Sequence, residues 1–226
     1  MSATLTLKDV RLDVPDGMSM RTIFDVPTLE LPEGAFLGVR GASGSGKSTF
    51  LKLISGILLP TTGQIRVGNT VINDMNERLR DQWRGRHISF LFQDFRLIDG
   101  LSALDNALLP FTFHQRSISR TQRAEAEAKL RHAGIRPDTR VENLSRGEMQ
   151  RTALVRVLMQ SPDLILADEP TASLDSTRGD QAVQALLTAA RSLGATLVLV
   201  SHDERVLSHF EHTITLQNGQ LLKETP

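Results

Sequence analysis

The chain has no cysteine. Disulfides, zinc–thiolate centres and cysteine nucleophiles are thereby excluded, and the composition fits a reducing compartment. It has no tyrosine, one tryptophan (Trp83) and nine phenylalanines. Few rings are on hand to stack on a nucleotide base. It has no net charge, because 26 Lys and Arg balance 26 Asp and Glu. General nucleic-acid binders carry an excess of positive charge, so no nucleic acid is expected as a partner. No apolar run nears the roughly 18 residues that would span a bilayer. The opening MSATLTLKDV alternates polar and apolar residues, as a strand does and a secretion signal does not. The chain reads as soluble by itself, yet able to dock on a membrane protein.

What is present suits one large domain: 226 residues are ample for a buried core. Four short apolar runs stand out: AFLGVR (35–40), HISFLF (87–92), DLILAD (163–168) and ATLVLV (195–200). Unbroken apolar runs of this length predict parallel strands covered on both faces. Helical stretches lie around them: KSTFLKLISGIL, EMQRTALVRVLMQ and RGDQAVQALLTAARSLG. Strands alternating with helices predict a parallel α/β sheet. LTLKDVRLDV and GQIRVGNTVI alternate instead and predict antiparallel strands beside that core. From about 94 to 143 the sequence is helix-rich. There Glu125 and Lys129 are spaced i, i+4, and Gly134 is a helix stop. Residues 144–151, LSRGEMQR, open a further helix, with Ser145 and Glu148 forming an S-x-x-E capping box.

Gly41 to Ser48, GASGSGKS, satisfies G-x-x-x-x-G-K-[ST] between a predicted strand and a predicted helix. Glycines let the backbone curl until several N–H groups face phosphate oxygens. The following helix adds its positive N-terminal end. Lys47 neutralises the outer phosphates and Ser48 offers a hydroxyl to Mg²⁺. The plain alternative is a Gly/Ser turn. The motif alone says only that a nucleoside triphosphate binds.

DLILADEP ends a buried strand on Asp168 and Glu169. Strand carboxyl ends face the ligand crevice of such sheets. Asp168 is a candidate for Mg²⁺ through its water shell, and Glu169 for general base on an attacking water. Both also fit an ordinary Asp-Glu-Pro turn. His202, just past the next strand, is a candidate for contacting the γ-phosphate or positioning that water. Gln93, closing FLFQ, is a candidate for Mg²⁺ or for the water. Taken singly, each fits a surface residue equally well.

The order of these features is phosphate loop, Gln93, LSRGEMQR, LILADEP, Ser173–Asp175 (SLD), then His202. In that order, over essentially the whole chain, the sequence resembles the ATP-binding subunits of ABC transporters. The resemblance implies a fold: an α/β P-loop NTPase core with an antiparallel β subdomain and an inserted helical subdomain at 94–160, all within one domain, 1–226. It implies ATP and Mg²⁺ as ligands. Gly41, Ser43, Gly44, Ser45, Gly46, Lys47, Ser48 and Thr49 then form the Walker A loop. Gln93 is the Q-loop residue, Asp168 and Glu169 are the Walker B pair, Asp175 belongs to the D-loop, and His202 is the switch histidine. Ser145, Gly147 and Glu148 belong to a signature that completes the ATP site of a second subunit. That partner is expected to be an identical chain, in a head-to-tail dimer.

FLFQDFRLIDGLSALDNALLP further resembles the lipoprotein-releasing (LolD), macrolide-export (MacB) and cell-division (FtsE) ATPases. This narrower resemblance implies FtsX/MacB-like permease subunits, on the cytoplasmic face of the inner membrane. A non-transport regulator of an extracytoplasmic hydrolase stays open at this point, as does a soluble ATPase of repair or translation. Two positions depart from the family. The usual LSGGQ reads LSRGE, with Arg146 and Glu148 as the new residues. The adenine-stacking aromatic is replaced by Val14, with Phe24 as a candidate substitute ring, weighed against a plain core residue.

Overall fold

The computed structural model describes residues 4–223 except 114, 116, 173 and 174, and gives the backbone only of 176 and 223. Two sheets organise it. The first is antiparallel, in the order β2-β1-β4-β5, from β1 (Leu5–Asp16), β2 (Ser19–Leu31), β4 (Thr62–Val67) and β5 (Thr70–Val71). The second runs β10-β9-β3-β8-β7-β6. Its members are β3 (Phe36–Arg40), β6 (Ile88–Leu91), β7 (Leu164–Asp168), β8 (Thr196–Ser201), β9 (His212–Gln217) and β10 (Gln220–Lys223). Strands β6, β7, β8, β3 and β9 are parallel neighbours, and β10 closes the edge antiparallel to β9.

The apolar runs explain the second sheet. All six residues of β8 are buried, as are the first four of β7. Each strand therefore needs cover on both faces. One face meets the antiparallel sheet and α1 (Lys47–Ile54), through residues such as Phe24, Phe50, Leu51 and Ile54. The other meets α5 (Arg146–Gln160), α6 (Ser176–Leu193) and α7 (Glu204–Leu207), through Ala153, Val157, Val183, Leu187 and Leu207. A third core lies among α3 (Ala103–Thr112), α4 (Arg120–His132) and the outer face of α5, around Leu108, Leu130 and Val155. The remaining helix, α2 (Glu77–His87), leads into β6 and has no buried residue. Among the described residues no helix is long and apolar enough to cross a membrane.

Phe24 belongs to this interior. It is fully buried and stacks nearly parallel on Phe50, ring centroids 6.0 Å apart. The core reading holds, and Phe24 offers no face to a base. Val14 is half-buried opposite Arg21 in the β1–β2 pair.

Candidate functional site

Four loops leave the carboxyl ends of β3, β6, β7 and β8 on one side of the sheet. They bring Ser43, Gly44, Gly46, Lys47, Ser48, Thr49, Gln93, Asp168, Glu169 and His202 around one cavity of about 690 Å³. Gly41 and Ser45 line the adjoining cavity behind the loop.

The phosphate loop needs glycine at two places for different reasons. Gly46 has φ +104°, a left-handed conformation that other residues adopt only under strain, and it is the N-cap of α1. A Cβ at Gly41 would strike the Ser45 hydroxyl and come within 2.7 Å of the Leu216 carbonyl. Ser45 itself is buried, and its hydroxyl has no hydrogen-bond partner. Lys47 is also buried. Its ammonium donates to the Gly41 carbonyl at 2.6 Å and the Ala42 carbonyl at 3.1 Å, and lies 3.5 Å from Glu169 Oε1. A buried cation is thus held against the loop's own carbonyls, beside Glu169.

The two acids are sorted by their backbone. Glu169 has φ +46°, a costly conformation for a residue with a side chain. The turn sends it away from Asp168 and onto the end of β8. There its Oε2 accepts from the Ser201 hydroxyl at 3.2 Å and the His202 amide at 3.4 Å. Its Oε1 lies 2.9 Å from His202 Nδ1. A carboxylate only accepts, so a hydrogen bond at this contact has Nδ1 as its donor. Asp168 instead accepts from the Ser48 hydroxyl at 3.2 Å. Burial pushes its carboxyl above the ordinary carboxylate range. The Ser48 bond opposes the rise, and the neighbouring Glu169 charge adds to it.

Ser48, Asp168 and Gln93 supply a hydroxyl, a carboxylate and an amide oxygen, a hard-oxygen set that fits Mg²⁺. Among the described residues no three His, Asp or Glu side chains converge as a metal cage. A cation here would draw its remaining ligands from phosphates and water, as Mg²⁺ commonly does.

Gln93 is exposed and begins a tight turn. Phe95 and Arg96 follow it with φ +60° and +46°. Arg156, from the middle of α5, donates to the Phe95 carbonyl at 2.6 Å and the Arg96 carbonyl at 2.7 Å. Burial lowers the pKa of this guanidinium. Sequence reasoning passed over Arg156, and also Ser201 at the end of a strand. A lone charge inside the apolar LVRVL stretch was the available signal. Arg146 adds a second hold, its guanidinium 5.8 Å from the centre of the Phe95 ring.

Ser145, Gly147 and Glu148 are not in the phosphate-loop cavity. Ser145 and Gly147 line a separate one of about 370 Å³ between α5 and α6, with Arg146, Arg151 and Arg178. Asp175 caps α6, accepting from the Arg178 amide at 3.0 Å. Of the Ser173–Asp175 segment, 173 and 174 lie outside the described residues. Among the described residues, no Phe, Tyr or Trp lines either cavity beside the phosphate loop; the one ring there is the His202 imidazole.

The sequence profile of the ABC transporter family matches residues 24–172. The ABC transporter ATP-binding protein YbbA of Escherichia coli is 37% identical, over 95% of each chain. The lipoprotein-releasing system ATP-binding protein LolD 1 of Caulobacter vibrioides is 36% identical, over 85% of this chain and 83% of its own. Among solved structures, the ATP-binding cassette MJ0796, as a post-hydrolysis dimer with ADP and Pi, superposes with a TM-score of 0.86. It is 34% identical, over 98% of this chain and 97% of its own.

Proposed function

The chain belongs to the ABC transporter family and is an ATPase of that family, and from this premise we propose that it is one half of an ATP-driven dimer that moves a membrane-embedded partner. The reading is carried by one observation. Lys47, Ser48, Gln93, Asp168, Glu169 and His202, from four loops spread along the sequence, converge on a single cavity.

In this reading the loop amides and Lys47 hold the phosphates. Ser48 and Gln93 hold Mg²⁺, with Asp168 behind them taking its water shell. The metal, when bound, supplies charge to offset that developing on the phosphoryl oxygens. Glu169 accepts a proton from the attacking water. His202, oriented by its 2.9 Å contact with Glu169, keeps water and γ-phosphate in line. Both groups sit at strand ends and need little reorganisation, which is the condition for effective positioning.

The separation of Ser145 and Gly147 from the phosphate cavity supports a site completed by a second subunit. The solved dimer of MJ0796 supports the same pairing here. The similarity to LolD and YbbA supports a membrane partner of the lipoprotein-releasing, exporting or force-transmitting kind. For its docking place we favour the groove of about 600 Å³ that runs from Ile57 and Arg84 past Phe92 and Arg96 to Phe113. It adjoins the Gln93 turn, and Ile57 and Phe113 are exposed within it. The subunit would then sit peripherally on the cytoplasmic face of the membrane.

Glu169→Gln tests the core of the proposal. The variant is expected to bind ATP, to turn over at least about a hundredfold more slowly, as loss of a general base implies, and to accumulate as a dimer visible by light scattering. Hydrolysis at the wild-type rate would remove Glu169 from its role.

A further inference from the structure

The chain contains two capping boxes of the same design. In the first, at α4, Gln122 Oε1 accepts from the Ser119 amide at 2.9 Å and the Gln122 amide returns a bond to the Ser119 hydroxyl at 3.1 Å. A neutral amide suffices to build that helix end. In the second, at α5, the partner is a carboxylate. Glu148 Oε2 accepts from the Ser145 amide at 2.8 Å and also from the Ser145 hydroxyl at 2.6 Å. The returning bond, from the Glu148 amide to the Ser145 hydroxyl, is stretched to 3.4 Å. The carboxylate therefore holds the serine more tightly than the serine holds the helix. One hydroxyl has one proton to donate, and here Glu148 has it.

In a nucleotide site completed by Ser145 and Gly147 of a second subunit, that proton is the one the serine hydroxyl has to offer to a phosphate oxygen of the partner's ATP. A phosphate oxygen and the Glu148 carboxylate compete for it, and they repel one another at contact distance. The displaced carboxylate has a nearby destination. Arg151, one turn further along α5, faces it electrostatically and lines the same cavity as Ser145 and Gly147, together with Arg146 and Arg178. The Ser145 bonds hold Glu148 below its usual pKa, so it is ionised at neutral pH.

We propose that Glu148 is a positioning residue that occupies the Ser145 hydroxyl in the separate subunit and releases it to a phosphate oxygen when two subunits close. It thereby raises the ATP concentration at which they pair. This rests on the assignment of Ser145 and Gly147 to the partner's nucleotide.

Glu148→Gln isolates the charge, because glutamine preserves the box, as Gln122 does at α4. The substitution is made in the Glu169→Gln protein, and dimer formation is followed by sedimentation across an ATP series. The ATP concentration for half-maximal pairing is expected to fall by about fivefold or more, the worth of one like-charge contact even at the dielectric of water. The melting temperature of the separate subunit is expected to fall slightly at neutral pH, because a carboxylate whose pKa is lowered on folding favours the folded chain, so tighter pairing cannot come from a more stable subunit. Pairing at an unchanged or higher ATP concentration would overturn the inference. Ser145→Ala in the same background tells the two ideas apart. If it abolishes pairing while Glu148→Gln changes nothing, the partner site stands and the role of Glu148 falls. If Ser145→Ala pairs as its parent does, both fall.

Discussion

Asp168 shows what a buried carboxylate costs a fold. Its carboxylate is half-buried beside Glu169, and its pKa is raised. A group whose pKa is raised on folding binds its proton more tightly in the folded chain. In its ionised form it therefore weakens the fold. That cost is full above the raised folded value and vanishes below the ordinary carboxylate range. Asp168→Asn is accordingly expected to raise the melting temperature of the nucleotide-free protein at neutral pH. The gain should shrink as pH falls through the folded pKa of Asp168. Mg²⁺ and ATP together should stabilise the wild type and lift the variant far less, since only a ligand that binds shifts the unfolding equilibrium. Melting curves over a pH series, with and without Mg·ATP, measure both effects.

Among the elements, the two capping boxes provide a matched pair. Ser119→Ala and Ser145→Ala each remove an N-cap, expected to cost about 1 kcal/mol of stability. Only Ser145→Ala is expected to reduce ATP-dependent pairing, which sedimentation of both variants in the Glu169→Gln background measures. Elements of this kind were legible in the sequence because local chemistry dictates them. The four apolar runs became β3, β6, β7 and β8 within a residue or two, and the box at Ser145 opens α5 as its spacing implied. The i, i+4 pair of Glu125 and Lys129 closes at 3.4 Å on α4. The helix read from Lys47 to Leu58 stops instead at Ile54, because Gly56, at φ +68°, turns the chain out of it. Helix α2 escaped notice, since ERLRDQWRGRH has no fully buried residue and, of its apolar side chains, only Trp83 is partly buried against the main core. The C-terminal β9 and β10 hairpin also escaped, being short and of mixed polarity. The phosphate loop and the two acids were legible from their motifs. What the sequence could not reveal was contact at long range, such as the hold of Arg156 on the Phe95 turn sixty-one residues away.

For the molecule as a whole, the groove between Ile57 and Phe113 is the proposed link between nucleotide and membrane partner. Its wall includes Phe92 and Arg96, which flank Gln93, so anything seated there touches the segment that reaches the phosphate-loop cavity. Phe113→Asp is expected to leave subunit stability within about 0.5 kcal/mol, as for an exposed position, and to abolish co-purification of the membrane partner from detergent extracts. Co-purification at the wild-type level would place the docking surface elsewhere. The topology carries a different consequence, for how this protein is made. The strand that feeds the phosphate loop, β3, lies between β8 and β9. Both neighbours come from the last part of the chain. A growing polypeptide completes its GASGSGKS loop early, yet has no sheet to anchor it until Thr196–Ser201 has left the ribosome. Nucleotide competence therefore arrives late in synthesis and all at once, and a chain cut short before β8 would carry the motif without the ability to use it.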